Sequence, residues 1–300
     1  MDFVTGLLNS MPGAAAQGLI WGIMAIGVYI TYRILDVADL TVDGSLGTGG
    51  AVCVLLVLNG CPVWAAMAAA VAAGMLAGMA TGLLHTACGI PPILAGILTQ
   101  LALYSVNLRV MGKANLSLLR IDTIFTEMQA MTGLDNVYTV LAVGAVSALI
   151  CVIFIYWFFG TEIGAAIRAT GYNQQMIRAQ GVDTRITIIL GLLISNALVA
   201  LSGALIAQNN GFADVGMGTG TIVIGLASVI IGEVLFGTRS FKNCLISVVL
   251  GSVVYRIVIA AVLQMGMPPN DLKLFTALLV AFALSLPLVK DKVGIRKAVK

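Results

Sequence analysis

Long apolar runs separated by short polar breaks make up nearly the whole chain. About nine of them approach the roughly 20 residues needed to cross a bilayer. They are 12–32, 45–60, 62–84, 91–112, 137–159, 186–209, 219–237, 243–265 and 272–289. The second and seventh are short or interrupted by glycine. The pattern predicts an all-α, polytopic transmembrane protein forming a single membrane domain over residues 1–300.

One break differs from the others. After the first run the sequence reads Asp36-Val-Ala-Asp-Leu-Thr-Val-Asp-Gly-Ser45, followed by Gly47-Thr-Gly-Gly50. Polar, glycine-rich backbone at membrane depth is tolerated only where protein or a water-filled cavity surrounds it. The break therefore points to a protein that moves a solute. Asp39, Thr41, Asp43 and Ser45 are candidates for lining its path. A similar segment recurs as Ala213-Asp-Val-Gly-Met-Gly-Thr-Gly-Thr221. Five spans intervene, which puts the two copies on opposite sides of the membrane, as in an inverted repeat. The halves would be about 12–159 and 186–289, and Asp214 joins the path candidates. A chance likeness of two glycine-rich turns is the alternative.

Composition narrows the picture. The chain is 60% hydrophobic and only 10% charged, against roughly 25% charged in a soluble domain. The N-terminus carries no basic stretch ahead of its apolar run, so a cleaved signal peptide is not expected. The five cysteines show no CxxC spacing and read as small hydrophobes. His85 is the only histidine, which argues against zinc, haem or triad chemistry. No metal, cofactor or nucleic-acid partner is expected of this chain.

Basic residues mark the cytoplasmic side. Lys290, Lys292, Arg296, Lys297 and Lys300 place the C-terminus inside a bacterial plasma (inner) membrane. Counting back puts Arg239 and Lys242 inside, together with the 160–185 loop and its Arg168, Arg178 and Arg185. The more acidic 113–136 loop and the N-terminus fall outside. The Asp36–Ser45 break then lies on the cytoplasmic side.

The 160–185 loop is the longest hydrophilic stretch on that side. Glu162–Ala169 suits a short helix capped by Thr161 and stopped at Gly171, and Gln174–Ala179 a second one. Ile167, Met176 and Ile177 are apolar knobs in a polar loop, fit for a groove on a cytoplasmic partner. A solvated loop that merely obeys the charge rule is the alternative.

This loop resembles the coupling segment of bacterial ABC importer permeases of the branched-chain amino acid and ribose permease family. The shared pattern is Gly164, Arg168, Ala169, Gly171 and Asn173, followed by Gly181. Asp39-Leu-Thr-Val-Asp-Gly-Ser45 is similar to the D-L-S-V-G-S element of sugar permeases in that family, with Asp43 as an extra residue. The Ile222–Gly251 region resembles the family's glycine-rich late spans. The subgroup most resembled pairs with lipoprotein binding proteins for aromatic amino acids. The resemblance implies a type II-like ABC importer permease. It would pair with a second permease subunit, identical in a homodimer foremost or different in a heterodimer, with cytoplasmic ATPase subunits that bind ATP and magnesium, and with an external solute-binding lipoprotein.

Other residues carry open alternatives. Gly216-Met-Gly-Thr-Gly220 lacks the lysine of a phosphate loop, so ATP is not expected to bind this chain. Gly74, Gly78 and Gly82 permit close helix approach, either within the subunit or at a dimer face. Arg256, mid-span, needs a partner: Glu233 or a substrate carboxylate. Gln100, Asn107, Asn196 and Gln208 form interhelical hydrogen bonds or line the path. The expected function is import of a small polar solute, an amino acid foremost, by alternating access. An ion-coupled secondary transporter is the alternative, but its acids would sit at midplane. An intramembrane enzyme would need clustered catalytic groups that are not visible.

Overall fold

The computed structural model describes residues 2–266, together with 268, 271, 274–278, 280, 281 and 285. The span expected at 272–289 lies largely outside the described residues, and the basic C-terminal tail entirely so. The described chain is almost wholly helical. Its first half holds α1 (Asp2–Tyr29), α2 (Thr41–Leu58), α3 (Val63–Thr86), α4 (Pro92–Met111), α5 (Ile124–Thr132) and α6 (Asn136–Phe158). The second half holds α7 (Glu162–Tyr172), α8 (Gln174–Ala179), α9 (Thr184–Asn210), α10 (Thr221–Phe236) and α11 (Phe241–Gln264). Two three-residue strands, β1 (Asn115–Ser117) and β2 (Phe212–Asp214), pair antiparallel.

Among the described residues, seven helical segments are long and apolar enough to cross a membrane, and α10, at 16 residues, is shorter. The boundaries fall within a few residues of those expected from the apolar pattern. The exceptions are α1, which begins at Asp2, well ahead of the expected 12, and the second span, which starts four residues early because Thr41 to Gly44 are helical. A count of nine is not reached within the described residues.

The core forms around α9, which packs on α1, α2 and α3. Its approach to α2 is close enough to need glycine on both sides. A Cβ on Gly49 would overlap the Ala200 carbonyl, and one on Gly203 the Leu46 carbonyl. The glycines of the third span serve the same purpose. Gly74 lies against Asn196 and Ala200, Gly78 against Leu192 and Leu193, and Gly82 against Ile189. This glycine face is filled by α9 of the same chain. By contrast Leu98, Leu101 and Tyr104 of α4 are about half exposed or more, as lipid-facing side chains should be.

The end of α1 widens into a π-helical turn, Ile30–Ile34. The chain then reverses at Asp36, which adopts a left-handed conformation (φ 54°). That conformation is one aspartate tolerates better than most residues. The reversal directs Val37 to Leu40 back into the helix bundle.

Candidate functional site

The polar break folds inward instead of lying on the surface. Asp39 is 2% exposed, and Thr41 and Ser45 are fully buried. The Asp39 carboxylate accepts the backbone N–H of Thr41 at 2.9 Å and the Asn196 side-chain amide at 2.8 Å. Asn196 in turn accepts the Ser45 hydroxyl at 2.6 Å and donates to the Leu192 carbonyl. Thr41, Thr81 and Thr99 extend this arrangement through a chain of hydroxyl hydrogen bonds. Asn196 stands about 18 Å from one end of α9 and about 21 Å from the other at 1.5 Å per residue. The network therefore ties α2, α3, α4 and α9 together near the middle of the bundle.

The second polar segment meets the first. After β2 the chain turns back along α2. Val215 passes Gly47, Met217 passes Gly50, and Gly218 lies so close to the Asp43 carbonyl that a Cβ would overlap it. At this depth α10 begins, with Gly220 as an N-cap that has no side chain to offer. Asp43 supplies the missing acceptor. Its carboxylate takes the backbone N–H groups of Gly220 (2.8 Å) and Ile222 (2.9 Å) and the Thr221 hydroxyl (2.9 Å). A helix start inside a membrane protein leaves N–H groups that water cannot reach, and a carboxylate also suits the positive end of the helix dipole. The two likened segments thus lead into helices whose N-termini sit side by side, bridged by Asp43.

The remaining path candidates are placed apart. Gln100 is half-buried on α4, with its backbone against Gly44. Asn107 is buried and approaches the Gly44 carbonyl at 3.5 Å. Asp214 belongs to the β-ribbon, where it accepts from Gly216 N–H and faces Asn115. Gln208 caps α5 by accepting the Ile124 N–H at 3.0 Å. Arg256 does not pair with Glu233, whose carboxylate is held by both Arg33 nitrogens that face it. Instead the Arg256 guanidinium carbon lies 4.1 Å over the Trp21 ring. The sequence reading offered Glu233 to Arg256 and missed both the Arg33–Glu233 pair and Trp21 as the partner of Arg256. Arg33 sits at the span end where basic residues are routine, so its pattern carried no signal.

The 160–185 segment forms two helices, as expected. Thr161 caps α7 by accepting the Gly164 N–H, and Asn173 caps α8 by accepting the Met176 N–H at 3.0 Å. Gly171 does not stop α7, which runs on to Tyr172. Its role is contact: a Cβ there would overlap the Ile34 carbonyl. Two of the three apolar knobs are not exposed. Ile167 is fully buried and Ile177 is 4% exposed, because each amphipathic helix turns its apolar side onto the spans. The apolar side chains that do project are Ile163, Tyr172 (91% exposed) and Met176. Arg168 is exposed over the Phe241 ring, Ala169 is half-buried, and Gly181 takes a left-handed turn after α8. Arg33, Asp36, Arg168, Tyr172 and Phe241 line a shared cleft of about 460 Å³.

Comparison with known proteins fits this arrangement. Residues 10–284 match the family model described as "Branched-chain amino acid transport system / permease component". The chain is 40% identical over 277 residues to the tyrosine transport system permease protein of Clostridioides difficile (strain R20291), covering 92% of this chain and 90% of that one. It is 34% identical over 282 residues to an uncharacterized protein of Rickettsia prowazekii (strain Madrid E), covering 93% and 98%. It is 26% identical over 251 residues to the D-allose transport system permease protein AlsC of Escherichia coli (strain K12), covering 82% and 73%. No solved structure gives a significant match. The chain belongs to the branched-chain amino acid transport permease family of ABC importers.

Proposed function

We propose that this permease subunit imports an amino acid, and that α7 and α8 are the surface on which a cytoplasmic ATPase pulls. The observation that carries the proposal is the contrast along this segment. Its buried side chains lock it to the spans, while Ile163, Tyr172 and Met176 project. Gly171 joins it directly to the end of α1, next to the polar break. A push on such a segment is transmitted to the α1–α2 turn without a flexible linker. The 40% identity to a tyrosine transport permease supports an amino acid as the solute.

In this reading the 160–185 face is cytoplasmic, the β-ribbon face is external, and a solute-binding lipoprotein docks there. Two copies of the chain form the pore, and ATP and magnesium are bound by the ATPase. The spans rock about the paired N-termini of α2 and α10, the two halves of an inverted repeat. The test is co-purification of the tagged chain from its native operon, with ATP-driven uptake in proteoliposomes. A stoichiometric ATPase, lost in Tyr172→Ala/Met176→Asp and in Arg168→Glu, is expected. A chain that purifies alone and carries solute under an ion gradient would overturn the proposal.

A further inference from the structure

Arg256 is a half-buried cation that pairs with no acid among the described residues. Its Nε is inaccessible and has no hydrogen-bond partner among the described residues. The one carboxylate on the adjacent span, Glu233, is taken by Arg33. A guanidinium in this position costs several kcal/mol unless a counter-ion or aromatic face compensates, and the Trp21 stack compensates only one face of the plane. The edge of the plane, with its fork of N–H donors, is left over.

Open space adjoins that residue. A cavity of about 360 Å³ is lined by Arg256, Thr219 and Tyr255, with Val223, Ile224 and Ile259 forming apolar walls. A smaller one of about 110 Å³ lies toward Gln17, Asn209 and Asn210. Arg256 is common to both. The larger cavity is of the size that holds one small organic molecule. The amides of the smaller one offer acceptors to an ammonium group.

We propose that Arg256 receives the carboxylate of the transported solute, and that the larger cavity holds its apolar side chain. This rests on the amino acid reading above and adds a solute site to it. Arginine is suited to the task because its planar fork matches a carboxylate in two parallel hydrogen bonds. A lipid phosphate could use the same fork, but the apolar walls and the neighbouring amides favour a zwitterion with an apolar side chain.

Trp21 reports on the site directly. Trp64 and Trp157 are 62% and 64% exposed, so Trp64→Phe/Trp157→Phe leaves Trp21 as the remaining tryptophan of three. The full chain, in phosphatidylcholine nanodiscs, is titrated with L-phenylalanine, 3-phenylpropionate and phenethylamine while Trp21 emission is followed. A saturable change with the two carboxylates, at least tenfold weaker with phenethylamine, is expected. Arg256→Gln should abolish it and Arg256→Lys weaken it about tenfold, with both variants remaining monodisperse. Equal responses to phenethylamine and phenylalanine would overturn the inference. So would a response that survives Arg256→Gln, or one produced by phosphatidylglycerol and not displaced by phenylalanine. Uptake by the complete importer separates the two readings. Wild-type KM in Arg256→Gln, with ATP-driven phenylalanine or tyrosine uptake intact, defeats this inference alone. Absence of amino acid uptake in the wild type defeats the import reading.

Discussion

The Asp43 carboxylate accepts the backbone N–H of Gly220 at 2.8 Å, across 177 positions of sequence. One residue in the first turn of α2 thereby completes the start of α10. Neither N-cap residue, Leu40 before α2 or Gly220 before α10, offers a side-chain acceptor: Asp39 takes the Thr41 N–H at the start of α2, and Asp43 serves α10. Losing a capping side chain costs about 0.5–2 kcal/mol where water can replace it, and this site is partly buried. Asp43→Ala should lower stability in detergent by about 2 kcal/mol, and Asp43→Asn by less, since it keeps one acceptor oxygen. Thermal melting of the purified chain measures both. Equal stability of Asp43→Ala and wild type would remove the capping role.

Gly171 makes a different kind of joint. The α7 backbone rests on the Ile34 carbonyl, so any side chain must move one of two rigid segments. Overpacking of this sort costs about 1–3 kcal/mol. Gly171→Ala is expected to weaken ATPase association and uptake while α7, helical on either side, still forms. The control is Gly181→Ala, where no neighbour lies near but φ is +85°. It should strain the turn after α8 locally and disturb α7 less. Co-purification yields for the two variants distinguish them.

Much of this architecture was legible in the sequence. Apolar run lengths placed eight helices, all but the start of α1 to within a few residues, because a membrane segment must satisfy all its backbone groups internally. Thr161 marked the start of the first short helix, while the caps Asn173 of α8 and Asp183 of α9 emerge only in the structure. The polar breaks announced themselves by composition. Composition could not say which way they fold. That Asp39 meets Asn196 follows the left-handed reversal at Asp36, and that Asp43 meets α10 follows the return of 212–220 along α2. Both meetings join residues more than 150 positions apart, which no local periodicity shows. Ile167 likewise reads as an exposed knob, because a short helix in a hydrophilic loop does not show which of its sides has a wall behind it.

Asn196 is the hub of the buried network, and its removal should cost more than that of any neighbour. Ser45→Ala removes one hydrogen bond and leaves the Asn196 oxygen unpaired. Asn196→Ala leaves the Asp39 carboxylate short of its side-chain donor, and the Ser45 hydroxyl without its acceptor. Each buried group so orphaned costs about 1–3 kcal/mol, more when charged. The expected order of stability is wild type, then Ser45→Ala, then Asn196→Ala, with the last at least about 2 kcal/mol below wild type. Chemical denaturation in mixed micelles gives the order. A reversal would mean that Asp39 is held by Thr41 alone.

Arg33 and Glu233 join the end of α1 to the late part of α10 through two parallel contacts. The Arg33 side chain is 50% exposed and that of Glu233 12%, so the pair sits between a surface and a buried bridge. A surface pair is worth about 0–1 kcal/mol, and solvent at Arg33 screens this one toward that range. Glu233 is the less tolerant partner: without the arginine its charge stays largely enclosed. Arg33→Gln should therefore destabilise more than Glu233→Gln. The double variant should be no worse than Arg33→Gln, because removing both charges removes the uncompensated one. A thermodynamic cycle over the four chains, measured in the same detergent at low and high salt, checks both statements. The expected coupling is about 1 kcal/mol at low salt and less at high salt, because solvent reaches Arg33. Additive effects would show that α1 and α10 are held by packing alone and that the ion pair plays no part in their register.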